Sequence, residues 1–446
     1  ASGPLARLPG GARTLSALLE HRRQNYDDFF RVTHRPPPGV SSYGWYPPGE
    51  QNTDSAYVEL RAPLIEKLEL MGSVRHDRYQ SRWAAQSVPM TDPNGPFPPQ
   101  TFSESDIDST DYTVGLRYSP VEDLTLRASF GTGFVPPALA NTKATVNVLP
   151  AANITNITDP QRGGALLSGD PDTGLITMLT GGDPTLRPES SESVSYGLIF
   201  TPRLLSGLRL SADLTEIRKT DEINSPGQQY ILNNEERFPG RVVRADNLPT
   251  DQPGWAGPVI SINAAPVNLL ATRVRSLDLQ ADYGMDTAAG GWRFYAVATK
   301  QLKFERQISA LFAPEDRVGH NDGMVKWRIN AGIDWMKGPW SLGWNTQYVT
   351  GYSLCSSTLT PAQCAFDLGA LAQGTEWVPS QTYHDVTLGY RFDKPTFNVL
   401  SNTDIHLGVQ NVFDTSPPVL AFMLYSGYGD PRLRRFTLTL RKQFGN

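Results

Sequence analysis

No stretch of this chain approaches the roughly 18 consecutive apolar residues that carry a helix across a bilayer, and its hydrophobic content is only 39%. A helical membrane protein is excluded. Positive charge is not in excess either: a net charge of −5 leaves no basic footprint of the kind that a nucleic-acid partner requires. Cysteine is scarce, with only Cys355 and Cys364. His21, His34, His76, His320, His384 and His406 are scattered over separate segments without HExxH or other metal-binding spacing. Gly131-Thr-Gly133 lacks the third glycine and the following helix that a phosphate cradle needs, and Gly-x-Ser-x-Gly does not occur. An enzyme is therefore not expected, nor a metal or cofactor. The opening Ala1-Ser-Gly-Pro-Leu-Ala-Arg-Leu has no charged segment followed by an apolar one, so no signal peptide is expected in it. Either one has been removed or the chain starts within something larger.

What the chain does have is alternation with a period of two. Near its end Phe436, Leu438 and Leu440 share one face, Thr437, Thr439, Arg441 and Gln443 the other, and Phe444 follows. Leu208, Leu210, Ala212 and Leu214 alternate with Arg209, Ser211, Asp213 and Thr215 in the same way. Fourteen strands are expected on this pattern, at about 13–30, 53–62, 68–83, 108–119, 123–134, 188–203, 207–220, 271–283, 290–302, 325–335, 339–350, 381–392, 403–412 and 433–444. Two architectures fit. In a membrane barrel the apolar face meets lipid and the charged face turns inward, which keeps Arg and Lys out of hydrocarbon. In a soluble sandwich a second sheet would cover the apolar face.

The connections separate the two. Tight turns fall at Pro63 to Lys67, Pro120 to Glu122, Leu204 to Ser206, Asp286 to Ala289 and Met336 to Gly338. They alternate with long segments at 31–52, 84–107, 135–187, 221–270, 303–324, 351–380 and 413–432, and the link Asp393 to Asn402 falls where a tight turn is due. Long loops at one end and tight turns at the other describe an outer-membrane barrel. On this parity the loops, with the pairs Pro36-Pro37, Pro47-Pro48, Pro98-Pro99 and Pro136-Pro137, are extracellular, and the C-terminus is periplasmic. Cys355 and Cys364 would form a short-loop disulfide in an oxidising compartment; a reduced, unpaired couple is the alternative.

Four stretches resemble the barrel of TonB-dependent outer-membrane receptors. These are Leu124-Thr-Leu-Arg-Ala-Ser-Phe-Gly-Thr-Gly-Phe-Val-Pro-Pro-Ala-Leu, Gly182-Asp-Pro-Thr-Leu-Arg-Pro-Glu-Ser-Ser-Glu-Ser, Leu407-Gly-Val-Gln-Asn-Val-Phe-Asp-Thr-Ser-Pro-Pro, and Gly429-Asp-Pro-Arg-Leu-Arg-Arg-Phe-Thr-Leu-Thr-Leu-Arg-Lys-Gln-Phe. They stand in the family's order and spacing. Each also reads as punctuation: Pro417-Pro418 removes ladder donors, and Asp414 can form an Asx turn. The resemblance implies an all-β transmembrane antiparallel barrel taking up a scarce nutrient such as a siderophore, cobalamin, glycan or peptide across the outer membrane of a Gram-negative bacterium. In the family, about 22 strands enclose an N-terminal plug, and the TonB system acts through that plug. This chain shows no plug-like start, and Leu8-Pro-Gly-Gly-Ala-Arg-Thr-Leu-Ser-Ala-Leu-Leu-Glu-His-Arg-Arg is similar to a mid-barrel strand. On that reading the chain is the C-terminal part of the barrel, surrounded by outer-membrane lipid, and the plug and remaining strands come from another chain or a missing segment.

Two residue groups are candidates for ligand contact. Arg117, Arg127, Arg209, Asp213, Asp278, Asp282, Lys326, Arg328, Asp334, Asp385 and Arg391 would line the lumen, either along a ligand path or as plain salt bridges across the wall. In the long loops Tyr230, Arg237, Arg241, Arg244 and Trp255 form a basic and aromatic set suited to an anionic or catecholate-like ligand; a solvated loop face is the other reading. Two further functions stay open: a passive channel whose fourteen strands close on themselves, and a structural or docking subunit that uses the loops as its surface.

Overall fold

The computed structural model describes every residue except 28, 36–39, 47, 85–87, 91–101, 139–140, 142–143, 184, 308–312, 366, 393–401, 421–424 and 444–446. Phe444, Pro36-Pro37, Pro47, Pro98-Pro99 and most of the link Asp393 to Asn402 lie outside the described residues. One antiparallel sheet dominates. Its path runs in chain order through β1 (Ser2–Leu8), β2 (Gly11–Tyr26), β3 (Gly49–Ile65), β4 (Leu68–Ala84), β5 (Phe102–Val121), β6 (Leu124–Val135), β7 (Glu189–Phe200), β8 (Leu208–Asn224), β9 (Val267–Thr287), β10 (Gly290–Gln307), β11 (Trp327–Lys337), β12 (Trp340–Val349), β13 (Gln381–Phe392), β14 (Thr403–Gln410) and β15 (Arg435–Lys442). The fourteen expected strands are all present, and β1 is an additional one. Its Pro4 supplies no ladder donor, and the register against β2 shifts between Pro4 and Ala6.

Register assigns the faces. Leu116, Ala128, Tyr196, Leu214 and Leu277 stand opposite one another on β5 to β9. One residue along, Arg117, Arg127, Gly197, Asp213 and Asp278 form the neighbouring row on the other face. A slip of one residue would exchange the two faces, so the pattern and the pairing specify each other.

No protein layer covers the apolar face among the described residues. Phe436, Leu438 and Leu440 are 75%, 70% and 64% exposed, and the buried clusters all gather residues from the long connections: Ile154, Ile176, Ile231 and Ile262 in one, Val325, Tyr352, Val378 and Leu420 in a second, Cys355, Cys364 and Ala370 in a third. A sandwich is thereby excluded. The tight-turn end of the apolar face carries aromatics: Trp292 lies 6.2 Å from Trp335 and Trp340 4.7 Å from Tyr390, ring centre to ring centre. Trp335 donates its indole N–H to the Ala289 carbonyl at 2.9 Å, so its polar edge is satisfied beyond the apolar zone. This is the girdle of a membrane barrel. Trp327 and Trp335 bracket the zone on β11, and eight residues of strand cover about 26 Å.

Several strands outrun the membrane. β9 has 21 residues and β5 has 20. Above the apolar zone both faces turn polar: on the same face as Leu19 and Val74 stand His21, paired with Asp54 at 2.7 Å, and Arg78, bonded to Asp106 at 2.9 Å. The reading by alternation stops where alternation stops, which is why these strands extend beyond their expected bounds. The Gly338-Pro339 turn shows how the other end is closed. Gly338 takes a φ of 53°, a conformation open to glycine at no steric cost.

Candidate functional site

The polar wall, a folded lobe and a loop-lined cavity make up the candidate site. On the wall, Arg117, Arg127, Asp213, Asp278 and Arg328 belong to one row that also contains Gly197 and Thr299. Arg209, Asp282 and Asp385 belong to a second, with Tyr295, Gly332 and Asn345 between them. Asp334 stands opposite Arg293, Arg391 opposite Asp404, and Lys326 just precedes β11 in phase with Arg328. Many of these charges are paired: Arg127 with Asp213, Arg293 with Asp282 at 2.6 Å, Arg391 with Asp404 at 2.8 Å. Glycines on this face let side chains reach across a strand. The Asn345 amide donates to the Tyr295 hydroxyl at 2.9 Å over Gly332, where a Cβ would collide with the Tyr295 ring.

The two longest loops fold together. Ala144–Pro150 and Leu175–Gly181 from the first loop join Val259–Asn263 and Val242–Arg244 from the second in a four-stranded sheet, with Leu175–Gly181 and Val259–Asn263 parallel. Ile176 and Ile262 on the sheet and Ile231 on the helix Gln228–Asn233 are fully buried. Buried charges join the loops. Arg162 grips the Asp251 carboxylate, donates to the Ala256 carbonyl at 2.6 Å and lies 4.9 Å from the centre of the Trp255 ring. Arg244 reaches Asp159 and Glu235, each at 2.7 Å. Burial alone would lower the Arg244 pKa, but these two carboxylates more than offset it and raise it. The Arg162 hydrogen bond holds the Asp251 carboxyl below the usual range.

The loop set is thus divided. Arg244 is enclosed, and Arg241 donates to the carbonyls of Asn263 and Ala265 at 3.1 and 2.6 Å. Trp255 stacks with Arg162. Tyr230 remains exposed, with its ring edge-on to Phe238, and Arg237 lies 3.9 Å from Glu236. Sequence reading treated the two loops separately. The only local sign of their union is the β-rich character of Leu175–Gly181 and Val259–Asn263.

A cavity of about 470 Å³ opens between three other loops, lined by His320, Asn321, Tyr352, Leu354, Leu420 and Tyr428 among others. The Tyr352 hydroxyl contacts Ser426 Oγ at 3.2 Å, and Ser426 Oγ also accepts from Gln381 at 3.0 Å. The Arg328 guanidinium sits 5.8 Å from the centre of the Tyr428 ring, so one residue of the cavity lining lies beside the long-loop end of the polar wall. Cys355 and Cys364 are disulfide-bonded beside it. Asp322 ties the disulfide loop to its neighbour by accepting from Ser356 Oγ at 2.8 Å and Ser357 N at 3.1 Å. Burial would raise the Asp322 pKa, but these bonds and Arg317 lower it. Sequence reading did not single out this cavity.

One motif is corrected. Asn411, not Asp414, makes the turn after β14: its side chain bonds Thr415 N at 2.9 Å and Thr415 O at 2.8 Å. Asp414 instead accepts from Arg434 N at 2.8 Å. An amide both donates and accepts, and so closes the turn on both backbone groups, which a carboxylate cannot do.

Residues 5–412 match the model of the TonB dependent receptor-like β-barrel family. The chain belongs to this family. It is an outer-membrane receptor family rather than an enzyme class. Among solved structures, the ferric-catecholate import receptor Fiu from K12 E. coli is 16% identical with a TM-score of 0.53, over 96% of this chain and 52% of Fiu. The siderophore receptor PirA from Acinetobacter baumannii is 12% identical with a TM-score of 0.54, over 96% and 55%. The copper transporter OprC is 13% identical with a TM-score of 0.52, over 96% and 57%. At these identities the likeness is one of fold, and the chain spans little more than half the length of each. No curated protein matches. Within the described residues no His, Cys, Asp and Glu grouping could hold a metal ion.

Proposed function

We infer that this chain forms the wall and mouth of an outer-membrane TonB-dependent receptor that takes up a scarce nutrient. The observation that carries the reading is the placement of the cavity. Folded loops line it at the long-loop end of the sheet, and Tyr428 on its lining lies against Arg328 of the polar wall, so that a ligand held there stands near the head of a charged path. The long loops then face the exterior and the C-terminus the periplasm. Tyr230 is the loop residue best placed for ligand contact, because its ring is exposed, whereas Arg244 would have to leave Asp159 and Glu235 to take part. The solved relatives include a ferric-catecholate receptor and a copper transporter, so the fold is compatible with more than one cargo; a siderophore, cobalamin, glycan or peptide would each suit the family.

The sheet also calls for completion. Among the described residues β1 pairs only with β2 and β15 only with β14, and an unpaired strand edge in hydrocarbon has no water to satisfy it. On this proposal the remaining strands and the plug, through which the TonB system pulls, come from another chain or a missing segment. Isolation of the native complex in mild detergent, without heating, tests this. A receptor retains a plug-bearing segment and shows energy-dependent uptake that is lost on Tyr428→Ala. A lone chain that forms a stable conducting pore would overturn it.

A further inference from the structure

The apolar face is not smooth. On β6 to β8 a groove of about 470 Å³ is cut into it, with Ala128 and Ala212 as its floor and Leu126, Tyr196 and Leu198 as its walls. Small side chains at the two floor positions, next to large ones on the strand between, produce the depression. Leu214 and Leu277 close it at the long-loop end.

Charge begins immediately above. Glu216 and Arg275 lie two residues beyond Leu214 and Leu277, on the same face and opposite each other, about 7 Å further along the strands. Next to them are Arg218, Arg273 and Lys303. Glu216 accepts from Arg218 and Arg273 at 2.8 Å each and from Arg275 at 2.6 Å, while Glu305 takes Lys303 at 2.6 Å and Arg273 at 3.6 Å. Glu192 stands opposite Arg218, Lys300 rests over the Trp327 ring at 5.2 Å, and Asp316 accepts from the amides of Phe304 and Val318. Five cations therefore face three wall carboxylates.

A bulge sets this arrangement. The register shifts between Arg275 and Ser276, so Lys300 and Lys303, three residues apart, both stay on the apolar side. Gln301 is buried beneath and holds the bulge by donating to the carbonyls of Arg275 at 3.1 Å and Lys303 at 2.7 Å.

We propose that the groove and the cations above it form one site for an anionic lipid, with acyl chains over Ala128 and Ala212 and a phosphate-bearing headgroup among Arg218, Arg273, Arg275 and Lys303. A groove alone accepts any acyl chain, and a cation cluster alone accepts any anion. Their contiguity on a lipid-facing wall selects a molecule that is both. The site lies on the opposite face of the sheet from the nutrient path and is independent of it.

Native mass spectrometry of the native complex in mild detergent, offered dioleoyl phosphatidic acid, dioleoylglycerol or inorganic phosphate, tests the site. Phosphatidic acid binds about tenfold more tightly than dioleoylglycerol, the increment of one charge-assisted hydrogen bond, and inorganic phosphate neither binds nor competes. The variant Arg275→Gln with Lys303→Gln loses that preference and keeps dioleoylglycerol binding. Ala128→Phe, which fills the groove, weakens both lipids. Circular dichroism checks that each variant folds, and if Ala128→Phe does not, the charge variant decides alone. Equal binding of the two lipids, competition by inorganic phosphate, or an unchanged preference in the folded charge variant would overturn the proposal.

Discussion

Arg127 on β6 and Asp213 on β8 meet across the strand that separates them, Nε to Oδ1 at 2.7 Å, over Gly197 of β7. A Cβ at Gly197 would collide with the Asp213 carboxylate and approach Arg127 Nε to 2.7 Å. The glycine is a gap that the ion pair fills.

Gly197→Ala is expected to break the pair or push the wall apart, lowering stability by about 1–3 kcal/mol as an overpacked site does. Gly72, on the apolar face, has a negative φ, and a Cβ added there would have no neighbour within 4 Å. Gly72→Ala is therefore expected to leave stability unchanged or raise it by about 0.4–1 kcal/mol. Thermal unfolding followed by gel mobility compares the two. Equal effects would show that the space above Gly197 has no role.

The loop lobe depends on pH through Asp251. Its carboxyl is held below the usual aspartate range by Arg162, so the contribution is complete above about pH 4, the unfolded value, and is lost as pH falls through the lowered native value. Protection of the Val259–Asn263 amides, taken against the intrinsic exchange rate at each pH, is expected to hold at neutral pH and to fall only in acid. In Asp251→Asn that acid dependence should disappear.

Arg244→Gln strands Asp159, which is 1% exposed, as an uncompensated buried charge. Breaking a buried pair in this way costs about 3–5 kcal/mol. Limited proteolysis is expected to cut within 135–187 and 221–270 while β1 to β15 stay resistant. Uniform resistance would mean that the lobe does not rely on this charge.

The disulfide closes a short loop, Cys355 to Cys364. Chain-entropy arithmetic for about ten residues gives about 2.5 kcal/mol. Cys355→Ser with Cys364→Ser should speed exchange in the helix Leu368–Gln373, whose cap at Asp367 accepts from Gly369 N and Ala370 N, and should leave the wall unchanged. Global unfolding would contradict a local role.

The strands were legible because each membrane-facing side chain is two residues from the next: Leu208, Leu210, Ala212 and Leu214 announce their face without reference to any neighbour. What lies across the chain was not. Arg162 and Asp251 are 89 residues apart, and the parallel pairing of Leu175–Gly181 with Val259–Asn263 leaves no local period. The gap at Gly197 becomes visible only when three strands are placed in register. β1 escaped notice because Gly3 and Pro4 interrupt its alternation, and the cavity because its residues come from three loops.

Lipid meets the Leu210 face of the wall and not the Arg209 face. Leu210→Cys and Arg209→Cys, each carrying a fluorophore on the new thiol with the native disulfide left oxidised, can be compared in bilayers of brominated lipid. Strong quenching is expected at 210 and little at 209; strong quenching at 209, with 210 shielded, would contradict a lipid-facing Leu210.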